Sequence, residues 1–152
     1  TLSRSSAASD VYKRQPQVGA IYAGTPWADL TKTGDTLYTN EGLDRVLVTY
    51  DGMLKAAALL YAGGNDLKSP LLSPVYGNFE GYPPTILVTG TRDMFLSDTA
   101  RTHQKIRAAG GTADLLVLEG LSHAGYMFDL KSPESQFTYQ EISKFLKTHL
   151  QN

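Results

Sequence analysis

The 152-residue chain has no cysteine, which excludes a disulfide framework and any thiolate metal site. Its three histidines, His103, His123 and His149, are scattered and lack the short spacing of a metal-ligand set. No stretch approaches the ~18 consecutive apolar residues of a transmembrane helix. Neither sign of charge is in excess. The 14 Lys and Arg face 15 Asp and Glu, for a formal net charge of −1, so the charge favours neither nucleic acid nor an anionic membrane as a partner. What is present is ordinary for a soluble globular chain, with 41% hydrophobic and 19% charged residues. The length suffices for one domain with a core. Missing cysteine does not identify a compartment; a soluble, cytoplasmic protein is the expectation. No cofactor is expected.

Residues 1–15, TLSRSSAASDVYKRQ, are polar and Ser-rich, without an initiating Met or the apolar stretch of a signal peptide. Two readings stay open. One is a disordered tail; the other is a non-native one, since SSAASDVYKRQ resembles translated sequencing-adapter read-through. On either reading the domain-like sequence occupies 16–152. It starts abruptly on a strand-like run, QVGAIYAG, as expected of a fragment of a longer chain.

Three apolar runs read as strands: Val18–Ala23, Thr85–Thr89 and Leu115–Leu118. The last two are continuous and bounded by Gly or Pro, the pattern of strands buried in a parallel sheet. Between them SDTARTHQKIRAAGG reads as a helix. Ser97 or Asp98 can cap its start, Gly110 can end it, and Ala100, His103, Ile106 and Ala109 share a face. Residues 85–118 are therefore predicted to form a βαβ unit with a right-handed crossover. Pro133–Leu150 reads as an amphipathic helix with Phe137, Ile142, Phe145, Leu146 and Leu150 on its apolar stripe. Residues 25–82 break this rhythm. They are loop-rich, with a short helix in TYDGMLKAAALLYAGG ended by Gly63 and Gly64, as in a lid or pocket wall.

Functional groups of a parallel α/β sheet collect at the C-terminal strand ends. The loop GTRDMFLSD after the second run holds Asp93, and GLSHAGY after the third holds His123. Adjacent parallel strands would bring the two loops side by side. A carboxylate there can fix an imidazole's tautomer through Nδ1–H and stabilise the imidazolium. Plainer roles stay open: Asp93 could close a turn with Arg92, and His123 could be an ordinary loop histidine. Asp98 is a rival acid that suits a helix N-cap better. Ser122, in Gly120-Leu121-Ser122-His123-Ala124, approaches a G-x-S-x-G nucleophile elbow. It has Ala124 in place of the second glycine, and its histidine is the adjacent residue rather than one on another loop. Ser122 is read as shaping the histidine loop, and no G-x-S-x-G occurs elsewhere.

From about Val18 to Leu150 the chain resembles the C-terminal half of the hormone-sensitive-lipase-like α/β-hydrolases. TPWADLTKTGDT resembles that family's segment after the sixth core strand, and ALLYAGG with SPLLSPVYG its cap segment and return to the core. YPPTILVTGTRDMFLSD is similar to its seventh strand and acid loop, and LLVLEGLSHAGYMF to its eighth strand and histidine loop. The resemblance implies the C-terminal portion of an α/β-hydrolase fold, about three parallel strands with flanking helices and a cap insertion at 25–82. It implies that Asp93 is the acid and His123 the base of a Ser-His-Asp triad, in the family's order. The nucleophile and oxyanion segment would lie upstream of residue 16.

The parent would then be a serine carboxylic-ester hydrolase, an esterase or lipase acting on small or medium acyl esters, and this chain alone would be inactive. On composition, Trp27, Leu37, Tyr38 and Leu60 are candidates to line its pocket, with a core role for Trp27 equally open. One alternative is a non-catalytic ligand-binding protein on the same scaffold, against which the presence of His123 counts. Another is an amidase, peptidase or dehydratase. In the family's sheet order the first run would be left as an edge strand, with Val18, Ile21 and Leu87 under-covered. Self-association through that edge is expected.

Overall fold

Thr85–Gly90 (β2) is buried at every position, and the other elements are laid around it. In the computed structural model, which describes residues 18–150, the sheet of the described residues has the order β1-β2-β3, with β1 at Ile21–Gly24 and β3 at Ala113–Leu118. Both pairings are parallel, running from Ile21 opposite Thr85 to Gly24 opposite Val88, and from Thr85 opposite Ala113 to Gly90 opposite Leu118. A central strand with no solvated face has no use for polar alternation, hence the run Ile86-Leu87-Val88.

The strand bounds differ from the sequence reading for local reasons. Val18 is exposed and precedes the first strand, which extends instead to Gly24. The third strand starts two residues before Leu115. Asp114 interrupts the apolar run there, but its backbone pairs in register opposite Ile86. The tail readings for residues 1–15 lie outside the described residues.

The crossover helix, Leu96–Ala108, packs on one face of the sheet; the C-terminal helix, Pro133–Leu150, packs on the other. In chain order the helices are α1 (Thr36–Thr39), α2 (Lys55–Ala62), α3 (Leu96–Ala108) and α4 (Pro133–Leu150). Under α3, Ile106 closes on Leu87, Ala113 and Phe79. Under α4, Ile142 and Phe145 meet Ile86, Val88, Leu118 and Tyr126. Leu87 is therefore fully buried, contrary to the expectation that it would be under-covered: α3 and Phe79 roof that face. The buried line of α4 is Ser135, Thr138, Ile142 and Phe145. Phe137 and Leu150 are exposed. Phe137 lies five residues before Ile142, about 140° around the helix and off the buried face.

No side chain caps α3. Asp98, read as a cap, instead accepts from the backbone N–H groups of Ala28 and Asp29 through Oδ2, at 3.1 and 2.9 Å. It pins the segment after β1 onto α3. The 25–82 segment is not detached from the core. Leu37, Tyr50 and Leu54 form a cluster with Met94 and Phe95 from the loop after β2. Among the described residues, no helix is long and apolar enough to cross a membrane.

Candidate active site

At the C-terminal end of β2 the chain must pass beneath the loop that follows β3. Gly90 allows this, since a Cβ there would overlap the carbonyl oxygen of Leu121. The two loops are then stitched together. Thr91 N–H donates to Leu118 O and Arg92 N–H to Leu121 O, both at 3.0 Å, and Gly120 N–H donates to Thr91 Oγ1 at 2.8 Å. Gly120 and Ala124 both take left-handed φ, at +73° and +53°. That is routine for glycine and uncommon for alanine. These two turns bracket the segment carrying His123.

The stitched loops bring Asp93 and His123 together, with Nδ1 of the ring 3.2 Å from Asp93 Oδ1. The carboxylate is fully buried and the imidazole mostly so, with 20% of its side-chain surface exposed. Asp93 has two further donors. Phe95 N–H reaches Oδ1 and the Thr89 hydroxyl reaches Oδ2, each at 2.8 Å. A carboxylate oxygen facing Nδ1 selects the tautomer with hydrogen on that nitrogen, leaving the Nε2 lone pair as the basic position. Phe95 sets the ring's attitude from the side, edge-on to His123 at 5.2 Å and 86°.

Trp27 stacks on Phe95, with centroids 5.2 Å apart and planes 16° from parallel. Of the four pocket candidates, Trp27 and Leu37 pack with Phe95 in one cluster. Leu37 is fully buried in the cluster under Met94 and Phe95, where no small molecule could touch it. Tyr38 and Leu60 are 57% and 84% exposed. The Tyr38 hydroxyl donates to Lys32 O at 2.9 Å, which turns it along the surface.

Asp98 does not compete for the histidine. It sits with Asp29 and Arg101, whose guanidinium is 2.7 Å from Asp29 Oδ2 and 4.0 Å from Asp98 Oδ1. Burial, and secondarily the Asp29 charge, push the Asp98 carboxyl up to about 7. Burial also pushes on Asp29, but its hydrogen bonds from Thr31, Arg101 and Tyr76 prevail and hold it below the ordinary range. Behind His123, Tyr126 is buried with its hydroxyl against that of Tyr22. Burial and this contact drive the Tyr126 phenol far up, so it stays protonated. Ser122 Oγ accepts from Arg45 N–H at 3.1 Å.

The sequence pattern of the alpha/beta hydrolase fold family matches residues 2–127, most of the chain. The chain belongs to that family. An acetyl-hydrolase of Streptomyces hygroscopicus is 27% identical to this hydrolase-fold chain over 133 residues, covering 88% of the chain and 44% of that protein. An esterase of Acinetobacter venetianus is 25% identical over 137 residues, with the same two coverages. Among solved structures, esterase E25 superposes with a TM-score of 0.90 at 52% identity, covering 94% of this chain and 44% of that one. An esterase from the bacterial hormone-sensitive lipase family gives 0.83 at 29%, covering 93% and 47%. The hormone-sensitive-lipase-like resemblance read from the sequence holds. The chain spans a little under half the length of these relatives.

Sequence reasoning missed Thr89, Phe95, Asn40 and Asp44. Thr89 and Phe95 flank Asp93 by four and two residues, and a search for donors to that carboxylate could have singled them out. Asn40 and Asp44 lie about 50 residues from the acid loop, and no spacing signal marks them.

Proposed function

We propose that Asp93 and His123 are the acid and base of a Ser-His-Asp triad in a serine carboxylic-ester hydrolase of which this chain forms part. The nucleophile and the oxyanion donors come from sequence outside it. The observation that carries the reading is the 3.2 Å contact between His123 Nδ1 and a fully buried carboxylate. Two other donors hold that carboxylate in place. In the reaction the serine hydroxyl attacks the ester carbonyl, and Nε2 of His123 takes its proton. The imidazolium so formed is stabilised by Asp93, then protonates the departing alcohol, and water repeats the cycle on the acyl-enzyme. Relatives named acetyl-hydrolase and esterase favour a small acyl ester as substrate. Residues 16–152 would be the C-terminal part of the hydrolase domain with 25–82 as its cap, and residues 1–15 would stand outside it.

The test is the complete protein, obtained by recovering the upstream reading frame, assayed on p-nitrophenyl acetate. His123→Ala should abolish turnover in a folded protein. Asp93→Asn should lower kcat on the order of 10⁴-fold, as the same change does in a serine protease. Activity retained in a folded His123→Ala variant would remove the triad.

A further inference from the structure

Residues 40–48 lie across both loops of the Asp93–His123 pair. Asn40 is buried, and its amide donates to two carbonyls of the acid loop, Asp93 O at 2.9 Å and Thr91 O at 3.1 Å. Asp44, also buried, accepts from Met94 N–H through Oδ2 at 2.9 Å. Its Oδ1 gathers Val46 N–H and Leu47 N–H at 2.9 and 3.2 Å. The next residue crosses to the other loop, where Arg45 N–H donates to Ser122 Oγ. The segment closes on itself through Gly42 N–H to Val48 O at 2.8 Å. Val48 is held there at φ +63°, a conformation unusual for a β-branched residue. Two buried side chains aimed at backbone groups beside Asp93, and one backbone donor aimed beside His123, make a brace rather than a wall.

We infer that Asn40–Val48 is a positioning strap that sets the acid loop and the histidine loop against each other, with Asn40 and Ser122 as positioning residues. This rests on reading Asp93 and His123 as the catalytic acid and base. The strap gives part of the 25–82 segment a role besides enclosing substrate. It assigns Ser122 the work of accepting Arg45 N–H in place of nucleophilic attack. Loosening the strap should leave the strands intact and let the ring of His123 sample orientations in which Nδ1 no longer faces Asp93.

The experiment reads the histidine ring directly in the 152-residue chain, with no need of turnover. Nitrogen-15 shifts of His123, at a pH where the ring is neutral, report which ring nitrogen carries the proton. The unchanged chain should show the Nδ1–H form predominating. Asn40→Ala should cut the ratio of Nδ1–H to Nε2–H roughly fivefold, as expected when one ordinary hydrogen bond's worth of orientation is lost. The backbone spectrum of β2, β3 and α4 should stay in place. Ser122→Ala, which only returns the exposed Arg45 N–H to water, should move the ratio in the same direction by less. It decides the matter if Asn40→Ala does not fold. A predominant Nδ1–H form that neither variant alters would overturn the strap and leave the pair standing. An unchanged chain with no Nδ1–H preference would overturn the pair, and the strap with it.

Discussion

Replacing Asp98 by asparagine should change how the stability of this chain depends on pH. Asp98 is fully buried, one of its carboxylate oxygens has no hydrogen-bond partner among the described residues, and Asp29 lies beside it. Its carboxyl is raised from an ordinary 3.8 to about 7. Between those values the folded chain holds a proton that the unfolded chain has released, so stability is full near pH 4 and falls as pH rises towards 7 or 8. A displacement of that size corresponds to roughly 4 kcal/mol over the whole range, most of it lost between pH 5 and 8. Asp29, held low, acts in the opposite sense, but only below about pH 4, outside this window. Asparagine keeps an oxygen for Ala28 N–H and Asp29 N–H and cannot ionise. Asp98→Asn should therefore match the unchanged chain within about 1 kcal/mol at pH 5 and exceed it by roughly 3 at pH 8. At an m-value near 2 kcal/mol/M this is a difference of about 1–2 M in the urea midpoint. Urea titrations of both chains at pH 5 and 8 make the comparison. Equal pH dependence in the two chains would refute the argument.

Four further outcomes are expected. The 152-residue chain should hydrolyse p-nitrophenyl acetate no faster than free imidazole, because the pair alone lacks the groups that supply most of the rate; enzyme-like turnover with an acetyl group found on Ser122 by mass spectrometry would make Ser122 a nucleophile. Gly90→Ala should cost about 2–3 kcal/mol in urea titration and broaden the His123 resonances, since the new methyl displaces Leu121 and the loop it carries. Val48→Gly should stabilise by about 0.5–1 kcal/mol: relief of left-handed strain outweighs the greater backbone entropy of glycine, and Val48 buries little. The chain should self-associate in light scattering at rising concentration, through the β1 edge that no strand covers among the described residues; a monomer melting cooperatively above about 60 °C would overturn this.

The sheet and its crossover were legible because they are written in local composition. A strand buried on both faces shows no polar alternation, and Thr85–Gly90 carries the run Ile86-Leu87-Val88 between two buried threonines whose hydroxyls find acceptors in Pro83 O and Asp93 Oδ2. The helix between β2 and β3 was legible as an element, but its buried residues are Asp98, Thr99, Thr102 and Ile106, so of the expected face Ala100, His103, Ile106 and Ala109 only Ile106 is buried. The loops after the two strands announce Asp93 and His123 by position. What was not legible depends on distant partners. Asp98 has the chemistry of an N-cap and stands where one belongs, yet the backbone of Ala28 and Asp29 claims its oxygen from 70 and 69 residues away. Ser135 and Thr138 line the buried face of α4, where apolar periodicity cannot reveal them. Leu37 lies in the polar stretch TGDTLYTN and Leu60 in the apolar run AAALLYA, yet Leu37 is wholly buried while Leu60 is 84% exposed. The difference is made by Met94 and Phe95, which the sequence places far from both.

The contact between Asp93 and His123 is, at bottom, a statement about strand register. Gly90 stands opposite Leu118, so β2 and β3 end level and their loops leave the sheet at the same height. The register is specified on both faces. Ala113 and Leu115 join Leu87 and Ile106 under α3, while Leu116 and Leu118 join Ile86 and Val88 under α4. A slip of one residue would exchange these sets, taking Asp114 from the margin of the sheet into the α3 core. A slip of two would keep the faces but move the end of β3 by about 6.6 Å, at roughly 3.3 Å per residue. That is twice the 3.2 Å that separates the imidazole from the carboxylate, and the stitches from Thr91 and Arg92 to the histidine loop would break with it. The packing of two leucine-rich faces thus fixes, through register alone, whether two polar side chains thirty residues apart can meet.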